Sequence, residues 1–476
     1  MEIVEDVVIV GAGIAGLTTS LGLHRLGIRS LVLESSDRLR TTGFAFTTWN
    51  NAWKALDAIG VGESLRQQHQ LAQGILVTST FLEKPTAEVS FKGHEIRCLQ
   101  RKLLLETLAN ELPSDTIRFS SKVVSIEESG FFKRIHLADG AIIKTKVLIG
   151  GDGVNSVVAK WLGFEKPVFT GRSAIRGTAK FEGGHGFGPK FRQFVGKGVR
   201  SGFLPCDDDT VYWFMTWTPD IKEEELEEDP IKLKQFAMNK LKDTSDEMKS
   251  VMEKTSLDGI ISSPLRYRRP WELLWGNISK GNVCVAGDAL HPMTPDLGQG
   301  GCSALEDGVI LARCLAQALL KSSAGEEIKE KFDEEEDKYK RIEMGLKNFA
   351  QERRWRSFDL VSTAYMVWNS KFEEELEEDP LKLKQFVISK LKGDALHPMT
   401  PDLGQGGCSA MEDALVLARC LAQALLKPAG EEIRQKKLMQ KRNLRGLKLM
   451  GLKNFSRERR WTSFDLITTS IWFDLT

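Results

Sequence analysis

The segment VVIVGAGIAGLTTSLGLHRLGIRSLVLE, residues 7–34, decides the fold of the N-terminal part of the chain. A continuous apolar run comes first, followed by a glycine-rich turn, by apolar residues at helical spacing, and by a second apolar run. Continuous apolar runs are typical of strands buried on both faces of a parallel sheet, and the middle stretch is typical of an amphipathic helix. The segment therefore predicts a βαβ unit.

The glycine spacing in GAGIAG predicts a nucleotide site. In this context Gly11 ends the strand in a tight turn, Gly13 lets a pyrophosphate approach the backbone, and Gly16 lets the helix pack closely on the strands. At Ile14 and Ala15 the helix begins, so its free N–H groups and partial positive charge are expected to face the phosphates.

Glu34 ends the second predicted strand, about 20 residues after Gly11. A carboxylate at this position accepts hydrogen bonds from the ribose hydroxyls and repels a 2′-phosphate, so the site is predicted to hold the adenosine of NAD or FAD rather than that of NADP. The alternative is a glycine-rich turn without a ligand. The strand, the spacing and the acid together argue against that alternative.

Two further stretches place an aspartate after a short apolar strand. Asp152 follows such a strand in KVLIGGDGVNSVVAKWLG, residues 146–163, and Asp288 follows one in GNVCVAGDALHPMTPDLGQGGCSA, residues 281–304. Open α/β sheets bind ligands at the carboxyl ends of their strands, so both aspartates are expected at one sheet edge. For Asp152 a plain Asp-Gly turn is the alternative.

The third stretch continues through a loop rich in proline and glycine into a helix predicted from about Gly301 to Lys321. Such a loop suits an extended ligand at close range, and Asp288 is expected to accept a hydrogen bond from a sugar-like hydroxyl. The N–H groups near Gly300 and Gly301 are expected to face negative charge. A reduced flavin carries such charge.

The motifs GAGIAG, GGDGVNS and GDALHPMTPDLGQGGCSALEDG, in this order, resemble those of the FAD-dependent class A aromatic hydroxylases, which include para-hydroxybenzoate hydroxylase and salicylate hydroxylase. The chain is most similar to the plant monooxygenases described as salicylate hydroxylase-like. The likeness covers residues 4–365. It implies an α/β fold: a Rossmann-like FAD-binding domain with an inserted antiparallel β-sheet substrate domain and a helical C-terminus.

The resemblance also implies roles for single residues. RCLQRKLLLETLA, residues 97–109, resembles the arginine-bearing helix of the family, so Arg101 would contact the FAD. Asp288 would hold the ribityl chain, and the loop glycine Gly298 would lie with Gly300 and Gly301 at the cofactor. The family's Asp-Gly motif usually closes with an arginine. This chain has Ala159 and Lys160 there, so it departs from the family where the pyridine nucleotide is expected to dock.

The activity that the resemblance implies is monooxygenation. NADH or NADPH would reduce FAD, the reduced flavin would react with O2 to a C4a-hydroperoxide, and one oxygen atom would pass to a small aromatic substrate. His291 and Pro295 are the candidates for a catalytic group near the flavin, although a structural histidine is favoured. No nucleophile or metal site is expected, because the cofactor supplies the chemistry.

Three other functions remain open. A plain NAD-dependent dehydrogenase would leave the Asp288 loop without a purpose. A flavin epoxidase related to zeaxanthin epoxidase shares LGQGGC, but it works in plastids, and no transit peptide is expected before the first strand. The third alternative is an inactive, rearranged flavoprotein.

The FAD-binding domain is predicted to be discontinuous, and the substrate sheet is predicted to be inserted into it. The domains are assigned as 1–75, 96–165 and 270–345 for FAD, 76–95 and 166–269 for the substrate sheet, and 346–370 for a C-terminal helix. In VYWFMTW, Tyr212, Phe214 and Thr216 share one face, which either walls a substrate pocket or belongs to the core. GGHGFG, residues 183–188, is predicted to be a hairpin turn.

A partial tandem repeat ends the chain. The letters GDALHPMTPDLGQGGCSA at residues 287–304 return at 393–410, and residues 371–476 repeat parts of 222–365. The second copy lacks the strand NVCVA, so Asp394 is expected to have no route to a sheet edge. We therefore expect the first loop to bind the flavin and the second copy to be non-functional.

Bulk composition excludes several partners. With 66 Lys+Arg against 65 Asp+Glu, the formal net charge is +1, which gives no field for nucleic acid or an anionic membrane. No apolar run reaches the length of a membrane span. The seven cysteines form no CxxC pair, which favours a reducing compartment. The expected location is cytoplasmic, and the sequence does not indicate an oligomeric state.

Overall fold

The structure of the protein is a computed structural model. The residues that it describes are 4–40, 44–80, 85–196, 198–219, 229–242, 244–320 and 331–369. The predicted partial repeat, residues 371–476, lies outside them.

The described residues form seventeen strands and ten α-helices. The strands are β1 (Val4–Val10), β2 (Leu31–Leu33), β3 (Ala45–Thr48), β4 (Gly74–Ser79), β5 (Pro85–Ser90), β6 (Arg97–Gln100), β7 (Ile117–Arg118), β8 (Val123–Ser129), β9 (Phe132–Leu137), β10 (Ile142–Gly150), β11 (Val168–Lys180), β12 (Lys190–Gly196), β13 (Val199–Pro205), β14 (Thr210–Trp217), β15 (Thr255–Tyr267), β16 (Ser279–Lys280) and β17 (Val283–Val285). The helices are α1 (Ile14–Arg25), α2 (Asn50–Ala58), α3 (Gly62–Arg66), α4 (Arg101–Asn110), α5 (Val157–Trp161), α6 (Pro230–Lys240), α7 (Asp246–Glu253), α8 (Pro270–Trp275), α9 (Gly300–Leu319) and α10 (Lys331–Asn369).

The first sheet has the strand order β16-β17-β10-β1-β2-β7, with β9 paired to β10 and β8 to β9. Its central strands β17, β10, β1, β2 and β7 run parallel. Strands β1, β10 and β17 are the apolar runs that precede the three sequence motifs. Because these strands are parallel and adjacent, their carboxyl ends bring all three motifs to one edge of the sheet.

The second sheet has the order β15-β11-β14-β13-β12-β4-β5. Every neighbouring pair is antiparallel except β4 and β12, which run parallel. The predicted hairpin at residues 183–188 is wrong, because this segment joins β11 to β12, and β14 and β13 lie between those strands. A glycine-rich turn signal marks a reversal of the chain but not which strands become neighbours.

The two faces of β14 differ, as its alternating side chains predict. Trp213, Met215 and Trp217 are buried in a core cluster with residues of α6 and α7. Tyr212 lies on the other face and packs against the main core, which contains the parallel sheet. The second sheet therefore has its own helical cover on one face. Its other face is turned toward the edge of the first sheet at which the carboxyl ends of β1, β10 and β17 bring the three motifs together, which is called the motif edge below.

Helix α9 packs against α1 at small residues. A methyl group placed on Gly22 would lie 2.7 Å from Ala312 Cβ, and one placed on Gly308 would lie 2.6 Å from Thr18 Cβ. Helix α10 in turn contacts α9 and α8, which confirms the helical C-terminus. No described helix combines the length and the apolar character that a membrane crossing requires.

Candidate functional site

The three motifs meet at the carboxyl ends of β1, β10 and β17. The Gly151 amide donates to the Val10 carbonyl at 2.8 Å. A methyl group placed on Gly287 would lie 2.7 Å from the Cβ of Ala15, the second residue of α1. Gly11 has a φ of +99°, and a side chain there would meet the Gly151 carbonyl at 2.5 Å. The structure thus brings the predicted turns into direct contact.

Packing within the protein requires a glycine at position 16 but not at position 13. A Cβ on Gly16 would lie 2.0 Å from the Gly11 carbonyl oxygen, so close backbone packing forbids a side chain there. Gly13 has an extended backbone that any residue adopts, and the nearest atom to a Cβ is 3.8 Å away. No protein contact therefore requires a glycine at position 13, which fits the predicted approach of a ligand.

Glu34 is buried beside the glycine turn. Its Oε2 accepts from the Ala12 amide at 2.9 Å, and its Oε1 accepts from the Ser36 amide at 2.9 Å. Arg40 lies 3.4 Å from Oε1. The carboxylate therefore shapes the turn as well as standing at the end of β2. Its contact with a ribose stays a prediction.

Asp288 and Arg101 lie close enough for their charges to interact, and Arg176 of the second sheet acts on Asp288 as well. The space that these three side chains border is called the cleft below. Asp288 is open to solvent at the cleft surface and makes no hydrogen bond with the described residues. Desolvation by the surrounding protein raises the pKa of its carboxyl, and electrostatic interactions with His291, Arg101 and Arg176 act in the opposite direction. Arg101 begins α4 and donates to the Arg40 carbonyl. Burial lowers the pKa of its guanidinium, and Asp288 acts in the opposite direction.

Asp152 supports the N-terminus of α5, whose N-cap residue is Ser156. Its Oδ1 accepts from the Ser156 hydroxyl at 2.5 Å, and its Oδ2 accepts from the Val157 amide at 2.7 Å, at the start of α5. Burial raises the pKa of the carboxyl, which these hydrogen bonds oppose. Asp152 lies at the motif edge as expected, but both carboxylate oxygens are engaged at this N-terminus. The contact of Asp152 with a nucleotide stays a prediction.

The loop between β17 and α9 is compact. Pro295 begins a short 3₁₀ turn that ends at Gly298, whose φ is +64°. A side chain on Gly301 would strike the ring of Phe46 at 2.6 Å, whereas one on Gly300 would meet only Met293 at 3.9 Å. Like Gly13, Gly300 is a position where the protein leaves room. The first N–H groups of α9 lie beside that space.

His291 is fully buried and belongs to a charged network. Its Nε2 lies 2.8 Å from Asp307 Oδ2 and 3.2 Å from the Ser303 hydroxyl. Arg353 donates from Nε to Asp307 Oδ1 at 2.5 Å. This arrangement is consistent with the structural histidine favoured by the sequence. The network itself was missed, and its signal was the adjacent acidic pair Glu306 and Asp307 inside an apolar helix.

A second missed group joins the loop to the substrate sheet. Asp296 Oδ1 lies 3.0 Å from an amino group of Arg200 and 3.5 Å from one of Arg172. Arg172 also donates to the Thr216 hydroxyl at 2.6 Å. All three charged side chains are at most a tenth exposed. The loop that follows Asp288 is therefore tied to the sheet by buried ion pairs.

The face of the second sheet that looks toward the cleft combines aromatic and cationic side chains. The Tyr212 and Phe214 rings stack at 6.3 Å, and Phe191 lies 6.1 Å from Phe214. Arg176 is opposite Phe214 in the strand register and lies 5.2 Å from the ring of Phe44. Burial raises the pKa of Tyr212 to about 12, so its hydroxyl stays protonated near neutral pH.

Three buried polar atoms in or beside the loop between β17 and α9 lack a hydrogen-bond partner in the part of the chain that the structure describes. His291 Nδ1, Trp49 Nε1 and Thr294 Oγ1 have no hydrogen-bond partner among the described residues. Leaving such an atom unpaired costs about 1–3 kcal/mol. The room at Gly13 and Gly300, beside the first N–H groups of α1 and α9, is what fits a large anionic ligand at this edge of the sheet. No group of acidic, His or Cys side chains suited to a metal ion occurs within the described residues.

Comparison with known proteins identifies an FAD binding domain. The family model described as "FAD binding domain" matches residues 5–341. Monooxygenase 2 of Arabidopsis thaliana is 61% identical over 366 residues, which cover 76% of this chain and 88% of that protein. Monooxygenase 1 of the same plant is 40% identical over 350 residues, covering 71% of this chain and 87% of that protein.

A solved structure shares the fold. Klebsiella pneumoniae HpxO complexed with FAD and uric acid aligns with a TM-score of 0.66 at 20% sequence identity. The alignment covers 81% of this chain and 96% of that chain. At this level of identity the likeness concerns the fold alone.

Proposed function

The chain belongs to the family of FAD-dependent monooxygenases that share this FAD binding domain, and from this premise we propose that it uses NADH or NADPH and O2 to insert one oxygen atom into a small aromatic substrate bearing an acidic group. Bound FAD would supply the redox chemistry, by the oxygen-transfer route that the family resemblance implies. The observation that carries the choice of substrate is the aromatic and cationic face of the second sheet.

Each group of residues at the motif edge suits one part of FAD. The N-terminus of α1, with its room at Gly13, suits the pyrophosphate, because free N–H groups and the helix dipole favour an anion there. Glu34 suits the adenosine ribose and Asp288 the ribityl hydroxyls. Helix α9 begins beside Gly300, so its N-terminus would stabilise negative charge on a reduced flavin.

The second sheet suits a planar, anionic substrate. Tyr212 and Phe214 offer ring faces for stacking. Arg176 donates to the Ser263 hydroxyl at 3.0 Å, and no ion pair to Arg176 occurs among the described residues. A guanidinium binds a carboxylate or phenolate through paired hydrogen bonds. Arg176 is therefore the residue that we expect to orient the acidic group.

The nicotinamide nucleotide is proposed as a transient visitor. GAGIAG is the one dinucleotide motif that the sequence flanks with both a strand and a helix. FAD would occupy that site permanently. Lys160 is an exposed residue of α5, close after the second motif in the chain. It is the cation that we propose for the visiting nucleotide in place of the family's arginine.

A paired-substrate assay tests the proposal. The purified protein, loaded with FAD, is given aromatic acids and their matched primary amides, while NAD(P)H consumption and hydroxylated product are followed together. Hydroxylated product is expected from acids, with a lower KM than for the amides. Arg176→Gln should remove most of this preference, because it deletes the cation. Arg192→Gln is the control, since Arg192 pairs with Glu247 of α7 on the opposite face. Equal KM values for acids and amides would refute the acidic-substrate proposal.

A further inference from the structure

The turn from Gly287 to His291 carries Asp288 into the cleft and is held by buried charged side chains on two sides. On one side Asp307 Oδ2 accepts from the Gly287 amide at 2.7 Å and lies 2.8 Å from His291 Nε2. A single carboxylate oxygen therefore contacts both ends of the turn. Asp288 lies between these two contacts, so its position depends on Asp307.

The other side of the turn is held by Arg268, which follows β15. Its guanidinium donates to the Leu290 carbonyl at 2.7 Å and to the Ala289 carbonyl at 3.0 Å. The same group lies 3.2 Å from Glu272 and 4.3 Å from the ring of Phe164. The backbone of the turn is thus fixed by hydrogen bonds to an anion and to a cation.

Arg353 of α10 completes the first side. Its Nε donates to Asp307 Oδ1 at 2.5 Å, and one amino group donates to the Ser303 hydroxyl at 2.8 Å. The other amino group lies 2.8 Å from Glu306 Oε2. Ser303 in turn lies 3.2 Å from His291 Nε2. A planar guanidinium fork suits this arrangement, because it donates to Asp307 and Ser303 while it pairs with the Glu306 carboxylate.

Burial and charge explain why Arg353 matters. Arg353, Asp307 and Glu306 are at most 3% exposed. Without the cation, two neighbouring carboxylates would lie buried without full compensation, which is strongly unfavourable. The guanidinium holds the pKa of Asp307 at about 2, against a strong opposing effect of burial. Asp307 therefore stays ionised and keeps its acceptors available to the turn.

We propose that Arg353 is a positioning residue of the cofactor site, acting through Asp307 and Ser303 to fix the turn that carries Asp288. Arg353 lies twelve positions beyond the end of the FAD binding domain match, which closes at residue 341. Helix α10, which also packs Leu360 and Ala364 against Leu297 of the same loop, then helps to hold the FAD site in place. The inference rests on the FAD assignment and goes beyond it by naming what holds the site together.

The test uses the full-length protein and measures FAD affinity by fluorescence quenching, together with the visible spectrum of the bound cofactor. Arg353→Lys keeps the charge but removes the fork, and we expect FAD binding to weaken at least about tenfold. The spectrum at saturating FAD is expected to shift, because Asp288 moves. Arg313→Lys is the matched control, since Arg313 joins the same two helices through an exposed pair with Glu352.

A double-variant cycle separates positioning from general destabilisation. Ser303→Ala removes the hydroxyl that lies between Arg353 and His291, and it should weaken FAD binding by about threefold. If both residues act on one turn, the combined loss in Arg353→Lys/Ser303→Ala will be smaller than the product of the single losses. Folding of each variant is checked by circular dichroism, and Ser303→Ala alone serves if Arg353→Lys does not fold.

Two results would overturn the proposal. One is a folded Arg353→Lys protein that binds FAD within about twofold of the Arg313→Lys control. The other is a double variant whose loss equals the product of the single losses. A parent protein that binds no FAD would instead defeat the cofactor assignment, so the two failures are distinguishable.

Discussion

Asp307 shows at the scale of one residue how this chain uses a buried charge. It is fully buried, yet the guanidinium of Arg353, the ring of His291 and the Gly287 amide hold its pKa below the usual value, against the opposing effect of burial. A carboxyl group whose pKa is lower in the folded state stabilises the fold at pH values above its unfolded pKa. That contribution is lost as the pH falls.

The expected pH dependence follows from these values. The pKa of Asp307 falls from 3.8 to about 2 on folding, so its contribution should be complete above about pH 5 and decline most steeply between about pH 4 and pH 2. Urea unfolding of the parent and of Asp307→Asn measures this at each pH. The difference in unfolding free energy is expected to narrow between pH 4 and pH 2. A constant difference across that interval would contradict the account.

Residues of the glycine turn were predictable from the sequence, whereas the network around Asp307 was not. Gly11 and Gly16 are required by backbone geometry within a short segment, so their spacing is enough to place them. Arg353 and Asp307 are 46 positions apart and meet only because α9 and α10 pack together. Helical periodicity shows which face is buried but not which polar residues on two helices will pair.

Strand β14 is the element that best separates folding from substrate binding. Trp213 faces the helical cover, where its indole donates to the Thr255 hydroxyl at 2.8 Å and its ring lies against Gly177. Phe214, the next residue, faces the cleft and stacks with Tyr212. Adjacent positions of one strand thus serve the core and the proposed substrate wall.

Substitutions at two adjacent positions of β14 should therefore act on different quantities, one on the unfolding free energy and the other on the KM. Trp213→Ala is expected to lower the unfolding free energy by about 3–5 kcal/mol, because it empties a closed core site. Phe214→Leu should cost less stability but raise the KM for an aromatic substrate, since it removes a stacking surface. Denaturant titration and steady-state kinetics measure the two quantities. An unchanged KM in Phe214→Leu would place the substrate elsewhere.

The alternation in VYWFMTW was sufficient to assign the two faces of β14, because side chains on a strand alternate with period two. The parallel pairing of β4 with β12 was not predictable. A period of two is the same in parallel and antiparallel strands, and these strands lie more than a hundred positions apart in the chain. Tertiary packing alone decides their direction.

The whole molecule depends on one loop that serves both sheets. Its first part, at Asp288, lies at the carboxyl end of the parallel sheet, and its later part, at Asp296, is held by Arg172 and Arg200 of the second sheet. A change in the position of either sheet would therefore move the loop. This shared loop therefore links the edge of the parallel sheet that carries the three motifs to the second sheet.

FAD titration of the parent protein and of Gly13→Val tests this account most directly. A Cβ at position 13 would meet no protein atom closer than 3.8 Å and the backbone there is extended, so the variant is expected to fold, which circular dichroism checks. The parent is expected to bind a single FAD per chain, and Gly13→Val to bind it at least about tenfold more weakly, because the side chain fills the space meant for the pyrophosphate. A parent that is colourless once unbound FAD has been removed, or a variant that binds FAD as tightly as the parent, would contradict the convergence of the three motifs on one cofactor.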